Sequence, residues 1–189
     1  EEWVQAAGVL RELNYSRIGF LGHTYPGMLD MYSDFTMHHA QLGAHVEVLE
    51  IDDLQARVQA VQEDEVEAKI AEIKHTFELA APGKDKISMP VTDEALRWSA
   101  RVAAGLDKLV QDFELNGLTY YYRGLNGNES EELGASLIVG NSLLTARGVP
   151  ASGEGDLKTC MAMLIMDRLG AGGSYTEFYA MDFNEDFIL

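Results

Sequence analysis

The sequence predicts an α/β fold, doubly wound, with a mainly parallel sheet, flanking helices and the first strands of a following β-rich unit. Three observations predict it. Residues 17–22 form a short apolar run that ends in glycine and reads as a buried strand. A loop, a helix and a second strand over residues 45–51 follow within about 35 residues, the spacing of a βαβ crossover, whose strands run parallel. Beyond them, apolar residues recur at helical spacing on either side of one more short strand, residues 118–123.

Taken in order, Trp3, Val4, Ala7, Leu10 and Leu13 repeat every three or four residues and predict a helix. After the first strand, residues 23–34 are a loop containing the turn signal Pro26-Gly27. Residues 32–42 are helical, with Gly43 as the C-cap. The second strand alternates Val46 and Val48 with Glu47 and Glu50. Residues 53–80 make a long charged helix broken near Asp64, its Glu67, Lys69, Glu72 and Lys74 forming a solvated face. Residues 81–86 are a loop. Thr92 caps the next helix, with Asp93 and Glu94 in its first turn, and that helix runs to about Leu115, where Asn116-Gly117 ends it. A helix over residues 129–147 is broken by Gly148-Val149-Pro150, and another covers residues 156–169. Residues 174–182 and 186–189 read as strands of something new. The organisation expected is a Rossmann-like domain over residues 1–170 and the opening of a β-rich domain over residues 171–189. Because the last residues, Phe187-Ile188-Leu189, break off mid-pattern, a fragment whose site is not fully contained in it is expected.

Composition narrows the function classes. A net charge of −17 disfavours a nucleic-acid partner, which needs a basic surface, and disfavours anionic membranes. No apolar stretch reaches the roughly 20 residues of a membrane helix. The single cysteine, Cys160, allows no disulfide within the chain and fits a reducing, cytoplasmic location. After the first strand stands Gly22-His23-Thr24-Tyr25-Pro26-Gly27, not a dinucleotide fingerprint, so the strand order alone implies no nucleotide.

The chemistry-bearing residues cluster late. In Gly153-Glu154-Gly155-Asp156-Leu157-Lys158-Thr159 two acids and a lysine sit at the mouth of an apolar helix. Asp156 is placed to cap that helix. Glu154 stands between two glycines, a costly arrangement unless the backbone needs an unusual conformation, and this points to a carboxylate aimed at something. Lys158 is expected to pair with one of the acids. Glu177 follows in Gly172-Gly173-Ser174-Tyr175-Thr176-Glu177. Glu154 and Glu177 at sheet ends could hold a hard divalent cation, Mg²⁺ or Mn²⁺, but two ligands are too few, so at least one His or Asp must join them. His38 and His39 point about 100° apart on one helix and cannot share an ion. His45 starts a strand and His75 lies on the charged helix. His23 follows the first strand, at the carboxyl edge where α/β sheets bind ligands, and is the better candidate as a substrate contact, with Met28 in the same loop as a second.

The run from Gly153 to Thr159, followed by the run from Gly172 to Glu177, resembles the metal-site region of L-arabinose isomerases, within the arabinose/fucose isomerase group. The resemblance implies a middle domain followed by the start of a C-terminal catalytic domain, in a cytoplasmic homo-oligomer that acts on a small sugar. It implies Glu154 and Glu177 as two ligands of a catalytic Mn²⁺ or other divalent cation, with two histidine ligands beyond Leu189. It also implies aldose–ketose isomerisation, with these two glutamates as the acid and base that move a proton through an enediol. The Tyr25-Pro26-Gly27-Met28 loop departs from the best-known members and leaves the sugar open. The fragment alone is then expected to be inactive. The residues also allow a non-catalytic sugar- or effector-binding module, with Tyr120-Tyr121-Tyr122-Arg123 as its stacking platform, or an oligomerisation domain.

Overall fold

The computed structural model describes residues 1–80, 89–123, 127–176 and 178–188. The chain begins with helix α1 (Glu2–Tyr15) and enters strand β1 (Arg17–Gly22). Helix α2 (Phe35–Leu42) starts at Asp34, whose carboxylate accepts from the backbone N–H groups of Thr36 and Met37 at 2.9 and 3.0 Å, and stops at Gly43 in the left-handed region. Strand β2 (His45–Leu49) leads into α3 (Ile51–Gln59) and α4 (Glu63–Thr76). Helix α5 (Asp93–Asp112), capped by Thr92, precedes strand β3 (Gly117–Tyr121). Helices α6 (Glu129–Ala135) and α7 (Ile138–Ala146), strand β4 (Ala151–Ser152) and helix α8 (Leu157–Arg168) complete the sheet domain. A short antiparallel pair, β5 (Met181–Asp182) and β6 (Phe187–Ile188), follows.

Among the described residues the main sheet runs β2-β1-β3-β4, every pair parallel. The chain leaves β1 toward β2, then returns across β1 to β3, so the strand order reverses between β1 and β3. At such a switch point the loops leave the carboxyl ends in opposite directions and open a crevice.

Alternation along β1 feeds both faces. Ile18 packs with Val9, Leu13, Leu157, Cys160 and Leu164 under α1 and α8, and Phe20 meets the Phe35 ring of α2 at 4.8 Å. Leu21 joins Leu49, Leu54, Val58, Leu106, Leu109 and Leu118 under α3 and α5 on the other face. Helix α4 forms an outer layer, setting Val66, Ile70 and Ile73 against Leu96, Ala100 and Leu143. Each fully buried side chain of this kind contributes about 1.5–3 kcal/mol of transfer free energy.

Several expectations are corrected. The second strand ends at Leu49, and Ile51 already opens a helix, because Glu50 and Asp53 make a reciprocal capping box. The charged helix is broken as expected, between Gln59 and Glu63, with Gln62 and Glu65 capping its second part in the same way, but it begins at Ile51 and ends at Thr76. Lys69 is not on a solvated face. It is 7% exposed and its ammonium lies 2.5 Å from Glu72 and 2.6 Å from Asp107, with Arg147 also bonded to Asp107. The helix expected to reach Leu115 stops at Asp112, ahead of a turn with Glu114 at φ 53°. The helix expected over 129–147 is interrupted at Ser136 and Leu137. Of the strands expected over 174–182 and 186–189, Met181–Asp182 and Phe187–Ile188 form, and residues 174–176 and 178–180 are not strand. The loop expected over residues 81–86 lies outside the described residues.

Candidate functional site

Three strand ends meet at the switch crevice. Strand β1 delivers Gly22 and His23, β3 delivers Tyr120 and Tyr121, and β4 delivers the segment from Gly153 to Asp156. Backbone hydrogen bonds lace them together: His23 N–H donates to the Tyr121 carbonyl at 3.0 Å, Gly155 N–H to the Tyr120 carbonyl at 2.9 Å, and Tyr25 N–H to the Glu154 carbonyl at 2.9 Å. The carbonyl of Glu154 therefore holds the loop that follows β1.

Glu154 has φ 62°, in the left-handed region, and Gly155 follows at φ 68°. A non-glycine residue there costs of order 1 kcal/mol and persists only when its surroundings demand it. The glycines beside it have different tasks. A Cβ on Gly155 would lie 2.7 Å from the His23 carbonyl oxygen and 2.8 Å from the Thr24 Cα. Gly153 instead makes room for a ring, since a Cβ there would lie 3.2 Å from Tyr175. Gly22, at φ 82°, has the Tyr121 carbonyl where its side chain would be.

Aromatic rings gather at the crevice. Tyr121 meets the His23 ring at 5.0 Å and 76°, and the Tyr25 ring at 5.1 Å and 64°. Burial, then the negative charge of Glu154, hold the Tyr121 phenol above its ordinary pKa. Burial likewise raises Tyr120, with Glu154 adding to it and a hydrogen bond from Asn141 opposing. Both phenols thus keep their protons at neutral pH and can donate.

Asp156 is the expected cap. It is 7% exposed and accepts from the Thr159 N–H at 3.0 Å and the Thr159 hydroxyl at 2.6 Å. The expected pairing of Lys158 with an acid is overturned. Its ammonium donates to the Asp30 carbonyl, and also lies 3.4 Å from the Tyr32 carbonyl and from Ser33 Oγ. The first turn of α8 points Lys158 at the far end of the loop after β1, where the Asp30 and Tyr32 carbonyls and the Ser33 hydroxyl outcompete the acids of its own segment. His38, beside it, has its pKa lowered by burial first and by the Lys158 charge second.

Of the site residues expected from the sequence, the structure brings His23 and Glu154 to one crevice. Met28 lies further along the loop and is 41% exposed. Glu177 lies outside the described residues. Among the described residues no three His, Cys, Asp or Glu side chains converge as a metal site, so they do not by themselves fit a catalytic cation. Tyr25, just ahead of the turn signal Pro26-Gly27, joins the crevice although the sequence marks only its loop and not the residue.

Residues 33–172 match the L-arabinose isomerase central domain. The chain is also similar to L-arabinose isomerases of Shewanella baltica (strain OS223), 22% identical over 187 residues, and of Acidothermus cellulolyticus, 26% identical over 181 residues. The first alignment covers 99% of this chain and 36% of the relative, the second 94% and 34%. An L-arabinose isomerase of Koribacter versatilis is 24% identical over 174 residues, covering 90% of the chain and 32% of that protein. The chain spans about a third of the length of the curated relatives it matches. With residues 33–172 matched across β2, β3, β4 and the Glu154 segment, the chain belongs to the L-arabinose isomerase central-domain family.

Proposed function

We propose that the intact protein isomerises an aldose to its ketose and that Glu154 is one of the two carboxylates that carry the proton. The observation that carries this reading is the left-handed Glu154, held at the switch crevice by its own carbonyl and by Gly155, in a chain matched to a sugar-isomerase family. Backbone strain at a cleft is characteristic of a functional residue. A carboxylate base takes the proton from the carbon beside the carbonyl as the carbonyl oxygen gains one, giving an enediol, and the matching acid returns a proton to the former carbonyl carbon as the neighbouring hydroxyl gives up its own. Glu177 is proposed as the second carboxylate, and residues 171–189 as the start of the catalytic domain that presents it. A divalent cation, Mn²⁺ by the resemblance, would supply charge stabilisation to the sugar oxygens, with Glu154 and Glu177 among its ligands and the rest outside the described residues. His23 and Met28 are proposed as substrate contacts from the loop after β1.

The intact protein is further read as a cytoplasmic homo-oligomer. The lone buried Cys160, its thiol pushed up to about 12 by burial, supports a reducing location, and the exposed Trp3, Tyr15, Tyr179 and Phe183 support surfaces that a neighbour covers.

The test is isomerisation of aldopentoses by the full-length protein in deuterated water, followed by NMR, with and without chelator. Ketose formation that stops on metal removal, with label entering at the carbon that receives the proton, is expected. Conversion unaffected by chelation would remove the cation from the proposal, and no conversion of any aldose would remove the activity. The chain alone is expected to be inactive.

A further inference from the structure

We propose that Tyr121 determines which sugar the site accepts, by packing its ring against the substrate's carbon chain beside Glu154. This rests on reading the crevice as a sugar site. The assignment starts from position. Tyr121 is the last residue of β3, on one side of the reversal in strand order, and its carbonyl is tied to the first residue of the β1 loop by the His23 N–H. Its backbone is therefore fixed from two strands.

The ring is fixed as well. Tilted contacts to His23 and Tyr25 brace it, at 5.0 and 5.1 Å. Tyr25 is itself bonded through its N–H to the Glu154 carbonyl at 2.9 Å. The Glu154 backbone and the aromatic group thus form one preorganised unit, which loses little side-chain freedom when a ligand arrives. Tyr121 is half-buried rather than sealed in the core, so its ring adjoins the crevice.

The chemistry of this unit suits a polyol. A sugar presents C–H groups along its chain and hydroxyls at each carbon. A tyrosine offers an apolar ring to the former and a polar tip to the latter. The hydroxyl at that tip can donate to a sugar oxygen. A wall of this kind discriminates chain length, because one carbon more or less changes the C–H surface that meets the ring.

The experiment measures equilibrium binding of two sugar alcohols, a pentitol (L-arabinitol) and a hexitol (galactitol), to full-length protein by calorimetry. Neither has a carbonyl, so binding is read apart from turnover. The variants are Tyr121→Phe, which keeps the ring, and Tyr121→Leu, which keeps apolar bulk without it. Wild-type protein is expected to bind the pentitol, Tyr121→Phe to stay within about threefold, and Tyr121→Leu to bind at least about tenfold more weakly with an altered pentitol-to-hexitol ratio. A merely structural role for the ring would lower the melting temperature of Tyr121→Leu without changing that ratio. Should Tyr121→Leu fail to fold, saturation transfer from tyrosine ring protons to the alditol C–H protons decides, present if the inference holds and absent if not. No alditol binding by wild type, or unchanged affinity and ratio in Tyr121→Leu, overturns it. Alditol binding through Tyr121 without conversion of any aldose would keep this inference and sink the isomerase reading; conversion with Tyr121-independent binding would do the reverse.

Discussion

Gly155 joins the site's backbone to the loop that covers it. Its positive φ and the closeness of the His23 carbonyl leave no place for a side chain. Replacing it with alanine forces either strain at φ 68° or a shift of the β1 loop, and Gly155→Ala is expected to lower stability by about 1–3 kcal/mol, read from the urea midpoint, and to reduce turnover of the full-length protein. A variant as stable and as active as wild type would show that the close approach does not matter. The special backbone at this position was legible, since a glutamate between two glycines already argued for it. What could not be read is the division of labour. Gly155 serves conformation, whereas Gly153 serves the Tyr175 ring, and that ring is brought there by tertiary structure. Lys158 misled for the same reason. Nearness in sequence to two acids suggested a pair, but helix direction and the oxygens of residues 30, 32 and 33 decided otherwise.

At the scale of elements, the Gly43 stop and the Thr92 cap were legible, and so β1, the end of α2 and the start of α5 match their expected positions, whereas α2 starts at Phe35 rather than residue 32 because Asp34 caps it. Asp34, Gly43 and Thr92 act through local hydrogen bonds that need no tertiary context. Strand β4 was not legible, because two residues after a proline carry no period; they become strand only by pairing with Leu118 and Thr119. Lys69 was placed on a solvated face because the helix reads as charged all round, yet α5 and α7 pack over it and bring Asp107 and Arg147. The contact between α2 and α8 carries a pH dependence. His38 has a folded pKa below its ordinary 6.5, so between that lowered value and 6.5 the unfolded chain binds more protons. Stability is then full above about 6.5 and falls as pH drops through this window. His38→Gln is expected to flatten the slope of urea stability against pH there. An unchanged slope would mean that partial burial and the Lys158 charge do not act on the imidazole as described.

Across the whole molecule, the parallel sheet with helices on both faces was legible from the order of short apolar runs and helical periods. The meeting of three strand ends was legible only in part, because strand order, unlike strand existence, depends on which crossovers reverse direction. Reversal between β1 and β3 is what brings His23 together with Tyr121 and Glu154, which come much later in the chain. The family match accounts for residues 33–172, and the chain spans about a third of the length of those relatives. The most direct measurement is the turnover and divalent-metal affinity of full-length protein carrying Glu154→Gln, which keeps the side chain's shape and removes its charge. The account predicts turnover at least about a thousandfold below wild type, with weakened metal binding and an unchanged cooperative unfolding transition. Near-normal aldose conversion with unchanged metal affinity would contradict it.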